Sequence, residues 1–212
     1  MECLLLASAA IALLLLGLIP AGVSNADDNG IEIAYGSVIK LMHERTKFRL
    51  HSHDILYGSG SGQQSVTGYP DVDDASSYWI VKPKLDSSAK QGDAIPSGSI
   101  IRLQHMTSRR WLHSHVYASP ISGNLEVSCF GGDDESNTGD HWQLDIEGNG
   151  TWKRNQRIKL RHIDTGAYLH SHKHRYKGSV EGQQEVCGVK EKRPDNVWLA
   201  AEGVYLPVNR NK

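Results

Sequence analysis

The tetrapeptide LHSH occurs three times in this chain of 212 residues, at residues 50–53, 112–115 and 169–172. A leucine lies nine residues before each LHSH, and a histidine follows that leucine two residues later. A tryptophan lies 28, 29 and 28 residues beyond the first LHSH histidine of the successive copies. The recurring residues are Leu41, His43, Leu50, His51, His53 and Trp79, then Leu103, His105, Leu112, His113, His115 and Trp142, then Leu160, His162, Leu169, His170, His172 and Trp198. Recurrence at a fixed spacing is typical of a fold that is assembled from repeated units.

Each copy predicts four β-strands. Ile39, Leu41 and His43 alternate, so they share one face of a strand. A polar turn at residues 44–47 leads into the LHSH strand, and two further strands end each copy. One such copy cannot close an apolar core alone, whereas three copies around a pseudo-threefold axis can. We therefore predict an all-β fold, a β-trefoil; a three-bladed propeller is the alternative, but propellers usually need more blades. The predicted repeats are residues 36–92, 93–150 and 151–206.

The first 26 residues predict a cleaved signal peptide. Residues 4–19 form an apolar run, and the small residues Ser24 and Ala26 suit cleavage after Ala26. No Lys or Arg precedes the run, which departs from the usual pattern, and an uncleaved anchor is the alternative. No later stretch is apolar enough to span a bilayer, so we expect no membrane span after cleavage.

Composition argues against some classes of partner and scaffold. Removing residues 1–26 removes one acid, Glu2, and no base, which leaves 23 basic against 23 acidic residues. This balance gives no bulk attraction to nucleic acid, so we expect no nucleic-acid partner. Only Cys129 and Cys187 remain after cleavage, so the chain is not a disulfide scaffold. One disulfide and two buried thiols are both compatible with the sequence.

The repeated histidines raise the question of a metal or a catalytic site. A His-x-His pair on a strand can offer two imidazoles to zinc, but pairs on diverging strands need not converge. No CxxC, HExxH or G-x-S-x-G motif occurs, and the loop acids lack the spacing of a general acid and base. We expect no catalytic residue, no metal and no cofactor. The nine repeated histidines and three tryptophans are predicted to be structural.

Three segments carry a resemblance to a known family. RLHSHDILYGSGSGQQSVTG, WLHSHVYASPISGNLEVS and YLHSHKHRYKGSVEGQQEV, each followed by its tryptophan, resemble the MIR-domain family, and within it the stromal cell-derived factor 2 proteins. The resemblance implies a β-trefoil of three MIR repeats in the endoplasmic reticulum lumen. It also implies a non-catalytic role in protein quality control and the unfolded-protein response. The implied partners are a lumenal DnaJ-type co-chaperone, a BiP-type chaperone, and unfolded or glycoprotein clients.

Carbohydrate binding by a lectin-like trefoil is the alternative function. An enzymatic function is a third hypothesis, which no motif favours. A trefoil can carry one shallow sugar site per repeat, and the candidate loop residues are Asp54 and Tyr57, or Tyr117 and Asn124. The three copies differ there, so we expect these sites not to be equivalent. Asn149 begins an Asn-Gly-Thr sequon and is a candidate glycosylation site.

Residues 208–212 do not form a KDEL-type signal, so we expect lumenal retention through a partner, with secretion as the alternative. The least repeat-like loops, residues 83–98 and 131–140, are the candidate contact surfaces because loops commonly carry recognition.

Overall fold

The computed structural model describes residues 30–210 and contains twelve strands. They are β1 (Val38–His43), β2 (Arg49–Leu56), β3 (Gln64–Tyr69), β4 (Trp79–Pro83), β5 (Ile100–His105), β6 (Trp111–Ala118), β7 (Leu125–Phe130), β8 (Trp142–Ile146), β9 (Ile158–His162), β10 (Tyr168–Arg175), β11 (Gln184–Val189) and β12 (Trp198–Val204). Short 3-10 turns occur at Ala75–Ser77, Thr138–Asp140, Gly178–Val180 and Pro194–Asn196. Each predicted repeat range holds four strands, although the repeat bounds themselves stay a prediction.

Six strands close a barrel. β1 pairs with β4, β4 with β5, β5 with β8, β8 with β9, β9 with β12, and β12 returns to β1, all antiparallel. Closure satisfies the strand edges that an open sheet would leave unpaired. Because β1 and β12 belong to the first and third repeats, the ends of the chain must meet before the barrel exists.

The other six strands form three hairpins that cap one end of the barrel. They are β2–β3, β6–β7 and β10–β11, and β3, β7 and β11 also pair with one another around the axis. This arrangement confirms the predicted β-trefoil.

The core lies where barrel and cap meet. The six leucines that recur at a spacing of nine residues are all fully buried there. Trp79, Trp142 and Trp198 are also fully buried, and the indole Nε1 of each donates to the carbonyl of the LHSH leucine of its own repeat, at 2.8, 2.9 and 3.0 Å. The repeated leucines and tryptophans are therefore core residues.

Cys129 and Cys187 are buried free thiols, so they do not form a disulfide with each other. Burial raises the pKa of each to about 12. Within residues 30–210 no helix has the length and apolar character needed to cross a membrane. The predicted signal peptide, residues 1–26, lies outside the described residues.

Candidate functional site

The histidine that ends the first strand of each repeat joins that repeat to the one before it. Barrel pairing sets His43, His105 and His162 opposite the signature tryptophan of the preceding repeat. The ring centroids lie 5.1 Å apart for His43 and Trp198, 5.1 Å for His105 and Trp79, and 4.8 Å for His162 and Trp142. The Nε2 atoms lie 3.0 Å from Asp195 O, 2.9 Å from Ser76 O and 2.8 Å from Gly139 O, respectively. We call these three contacts the histidine clasps.

Hydrogen bonding fixes the tautomer in each histidine clasp. A carbonyl oxygen only accepts, so Nε2 donates and Nδ1 is left as an acceptor. Nδ1 lies 2.8–2.9 Å from a hydroxyl oxygen in the turn that follows, on Thr46, Ser108 and Thr165. Burial lowers the pKa of all three histidines, that of His43 to about 4, although the carbonyl acceptors act in the opposite direction. Each ring is therefore neutral and fully paired at neutral pH.

The first LHSH histidines are buried against the segment that precedes their own tryptophan. His51 Nδ1 lies 2.7 Å from Asp74 Oδ2, and His113 Nδ1 lies 2.9 Å from Asp140 Oδ1. His170 Nδ1 lies 3.4 Å from Asn196 Oδ1, a longer contact to a neutral amide. Burial lowers the pKa of His51 and of His170. These histidines tie the hairpin of each repeat to its fourth strand.

The second LHSH histidines differ among the repeats. His172 Nε2 lies 2.6 Å from Glu185 Oε2, whereas His115 Nε2 lies 3.2 Å from Glu126 Oε1 at an angle that does not make a hydrogen bond. His53 faces Ser65 at the equivalent position, and its buried Nε2 has no partner. The second LHSH histidine thus recurs three times in the sequence, but it has a different polar environment in each repeat.

Glu126 and Glu185 are fully buried carboxylates that hold a loop of the preceding repeat. Glu126 accepts from the hydroxyl and the backbone N–H of Ser61. Glu185 accepts from the Ser119 hydroxyl and from the Ser122 N–H at 3.1 Å. Burial alone would raise the pKa of Glu185, but hydrogen bonds from His172, Ser119 and Ser122 lower it to about 2. We call these contacts the carboxylate latches.

Sequence reasoning missed these polar partners. Asp140 and Asn196 each lie two residues before a signature tryptophan, and Glu126 and Glu185 each precede the valine of a third strand. The sequence signal for these partners was that a polar or acidic residue recurs at the same positions in the second and third repeats. It was weak because the first repeat has serine at both places and uses Asp74 instead.

The two pairs of candidate sugar-binding residues differ in their exposure. Tyr57 is buried, and its hydroxyl donates to the carbonyls of Val66 and Val127, so it does not line an open surface. Asp54 and Tyr117 are exposed, but they lie on strands β2 and β6 and not in loops as expected. Asn124 is half-buried, and its Nδ2 lies 3.6 Å from Cys187 Sγ. Asn149 is exposed in the turn between β8 and β9, with a positive φ of 61°.

Open clefts lie between neighbouring repeats. The cleft between the second and third repeats has a volume of about 490 Å³ and is lined by His115, Thr138 and Asp164 among others. The related cleft between the third and first repeats, of about 300 Å³, is lined by Arg45, Thr46, His172, Lys173 and Asp195. These two equivalent places on the trefoil therefore present different charges, so one ligand would not make the same contacts in both.

Charge is distributed unequally among the repeats. Residues 93–150 carry three basic and eight acidic side chains, whereas residues 151–206 carry eleven basic and six acidic ones. The near-zero total conceals a difference of ten charges between adjacent repeats. A charged partner would therefore meet opposite fields on the second and third repeats.

Comparison with known proteins agrees with the repeat pattern. The MIR domain model matches residues 51–200. This chain belongs to the MIR-domain family. A stromal cell-derived factor 2-like protein of Arabidopsis thaliana is 65% identical over 92% of this chain and 90% of that protein. Human stromal cell-derived factor 2 is 41% identical over 93% and 92% of the two chains.

Solved structures give the same assignment. The crystal structure of the SDF2-like protein from Arabidopsis thaliana matches with a TM-score of 0.84 and 69% identity, covering 85% of this chain and all of that one. A yeast protein O-mannosyltransferase complex, Pmt1-Pmt2 bound to the sugar donor, matches with a TM-score of 0.75 and 27% identity over 90% of this chain and 28% of that one. Membership of the family supports a role in the secretory pathway for this MIR-domain protein.

Proposed function

We propose that this protein is a non-catalytic component of a chaperone complex in the endoplasmic reticulum lumen. It acts in protein folding and quality control, as part of the unfolded-protein response, with a DnaJ-type co-chaperone, a BiP-type chaperone, and unfolded or glycoprotein clients. The observation that carries the proposal is its likeness to stromal cell-derived factor 2 proteins over about nine-tenths of both chains. The internal pairing of most signature histidines supports a binding role over a catalytic one.

The proposed contact surface consists of the exposed residues of the two non-repeated loops, 83–98 and 131–140. Ile95 is fully buried and Asp140 accepts from His113, so both belong to the framework. Replacing all of residues 83–98 or 131–140 with a flexible linker would therefore damage the fold. The exposed candidates are Lys84, Asp86, Lys90, Asp134 and Glu135.

Reversal of charge on the acidic loop tests this surface. The double variant Asp134→Lys, Glu135→Lys should recover less DnaJ-type co-chaperone by affinity purification from the native lumen. More of the variant protein than of the parent should also reach the medium. The matched control is Asp54→Lys, Glu181→Lys, which makes the same change at exposed positions on two hairpins. If the parent protein recovers no co-chaperone, the proposal that it belongs to a chaperone complex is wrong. If both variants bind like the parent, the acidic loop is not the contact.

A carbohydrate-binding role is the second candidate, and the cleft between the second and third repeats favours it. Thr138 Oγ1 donates to Asp164 Oδ2 at 2.8 Å at the edge of this cleft, beside the half-buried His115. Carboxylate and hydroxyl groups around an open cleft suit the hydroxyls of a sugar. Glycan-array binding that is lost in Asp164→Ala, and retained in Asp145→Ala, would support this role. An array without signal would exclude it.

A further inference from the structure

Three side chains of the third repeat bring different metal-binding atoms together. His172 lies on β10, and Glu185 and Cys187 lie two residues apart on β11, so the two β11 side chains share a face. The pairing of Ser171 with Val186 sets His172 opposite Glu185. One nitrogen, one oxygen and one sulfur of the three side chains all lie within 4.8 Å of one another.

Hydrogen bonds fix the protonation of this cluster in the absence of an ion. The backbone N–H of His174 donates to His172 Nδ1 at 3.1 Å, so Nε2 carries the ring proton and donates to Glu185, and Asn124 Nδ2 lies 3.6 Å from Cys187 Sγ. Ser119 and Ser122 donate to Oε1 of Glu185, so Oε2 faces only His172. Glu185 and Cys187 are fully buried, while His172 reaches the cleft between the third and first repeats, which gives an entry path.

The other repeats lack the complete set. The equivalent residues are His115, Glu126 and Ser128 in the second repeat, and His53, Ser65 and Thr67 in the first. Only the third repeat combines imidazole, carboxylate and thiol, so the threefold architecture does not require this combination. The histidine pairs alone do not indicate this cluster, because the carboxylate and thiol that face His172 lie on another strand.

We propose that His172, Glu185 and Cys187 bind one zinc ion. Zinc takes imidazole, carboxylate and thiolate ligands in tetrahedral sites, and three protein ligands leave the fourth position to water. Tetrahedral bond lengths require ligand atoms about 3.3–3.6 Å apart, so only small side-chain movements are needed. Binding replaces two protons with the metal. The thiol proton of Cys187 goes to solvent, and the ring proton of His172 moves from Nε2 to Nδ1, which gives up the hydrogen bond from the His174 N–H. The carboxylate and the thiolate together neutralise the ion, which favours binding in a buried position.

Cobalt(II) is the direct probe, because a cobalt–thiolate bond gives a charge-transfer band that imidazole and carboxylate ligands do not give. We expect the reduced, tag-free mature protein to develop this band with one equivalent of Co²⁺ and to lose it on addition of Zn²⁺. Cys187→Ser, which reproduces the side-chain set of the second repeat, should abolish the band. Cys129→Ser removes the other buried thiol and should retain it.

His172→Ala is a second variant, at a partly exposed position, and should weaken cobalt binding while the protein stays folded. Zinc should raise the melting temperature of the parent and of Cys129→Ser, but not of Cys187→Ser. Thermal unfolding without metal verifies that each variant is folded. Absence of the band in the parent, or a band that persists in Cys187→Ser and His172→Ala, would overturn the proposal.

Discussion

At the residue scale, histidine suits the joints between repeats because it offers one donor and one acceptor on a flat ring. In each histidine clasp the donor binds a carbonyl of the preceding repeat, and the acceptor binds a hydroxyl of its own turn. The ring also covers the signature tryptophan. A lysine or glutamate could not satisfy both contacts without burying a charge.

The histidine clasps predict acid sensitivity. Burial lowers the folded pKa of His43 to about 4, against about 6.5 when unfolded. Between these values the unfolded state binds more protons, so the free energy of unfolding is full above pH 6.5 and falls as the pH drops toward 4. For His43 alone the loss approaches about 3 kcal/mol, and Glu185, with a pKa of about 2, adds a further loss below about pH 4.5. Urea midpoints that do not change between pH 7.5 and pH 5 would contradict the neutral, buried assignment.

The repeated leucines predict a large cost of truncation. Leu41→Ala should lower the free energy of unfolding by about 2–5 kcal/mol, because it leaves a cavity in a closed core. Leu56→Ala is the matched control, since Leu56 is 56% exposed, and should change it by about 0.5 kcal/mol or less. Chemical denaturation measures the free energy of unfolding of both variants. Equal losses in the two would mean that Leu41 does not lie in the core.

At the element scale, the cap hairpins are held by contacts that follow the chain from repeat to repeat. Glu126 of the second repeat holds Ser61 of the first, and Glu185 of the third holds Ser119 of the second. The remaining seam, between the third and first repeats, uses a neutral contact between Thr67 and Gln183. The two carboxylate latches therefore order the hairpin loops at two seams out of three.

A carboxylate latch can be tested from its loop side. Ser61→Ala removes the hydroxyl that donates to buried Glu126. The carboxylate then keeps the Ser61 N–H at 3.4 Å, and His115 Nε2 lies 3.2 Å away without making a hydrogen bond. We expect a loss of about 1.5–3 kcal/mol in the free energy of unfolding. Ser59→Ala, at an exposed position in the same loop, should cost about 0.5 kcal/mol or less. A neutral effect of Ser61→Ala in chemical denaturation would mean that the latch does not stabilise the hairpin.

The sequence predicts the individual elements better than the contacts between them. Strands, turns and buried leucines followed from local alternation and spacing, and three copies sufficed to predict the trefoil. The pairing of His105 with Trp79 did not follow, because it depends on the register between strands of different repeats. Nor did the burial of Glu126, because an acidic residue in a strand is ordinarily solvated and its partner Ser61 is distant in sequence.

At the scale of the whole molecule, the barrel closes only when β12 of the third repeat pairs with β1 of the first. Each histidine clasp crosses one of the three seams between repeats, so the repeats support one another in a ring. Unfolding of any one repeat removes a clasp on each side of it. We therefore expect one cooperative transition for the whole described fold.

The central claim is that the clasp histidines build the fold and perform no chemistry at a single site. Urea unfolding of His43→Ala, His105→Ala and His162→Ala tests it most directly, with exposed His174→Ala as the control. We expect each clasp variant to lose about 2–4 kcal/mol in a single transition, because each leaves buried partners unpaired. The control should change by about 0.5 kcal/mol or less. The contradictory result is a set of clasp variants as stable as the parent, or one whose losses are confined to a single repeat.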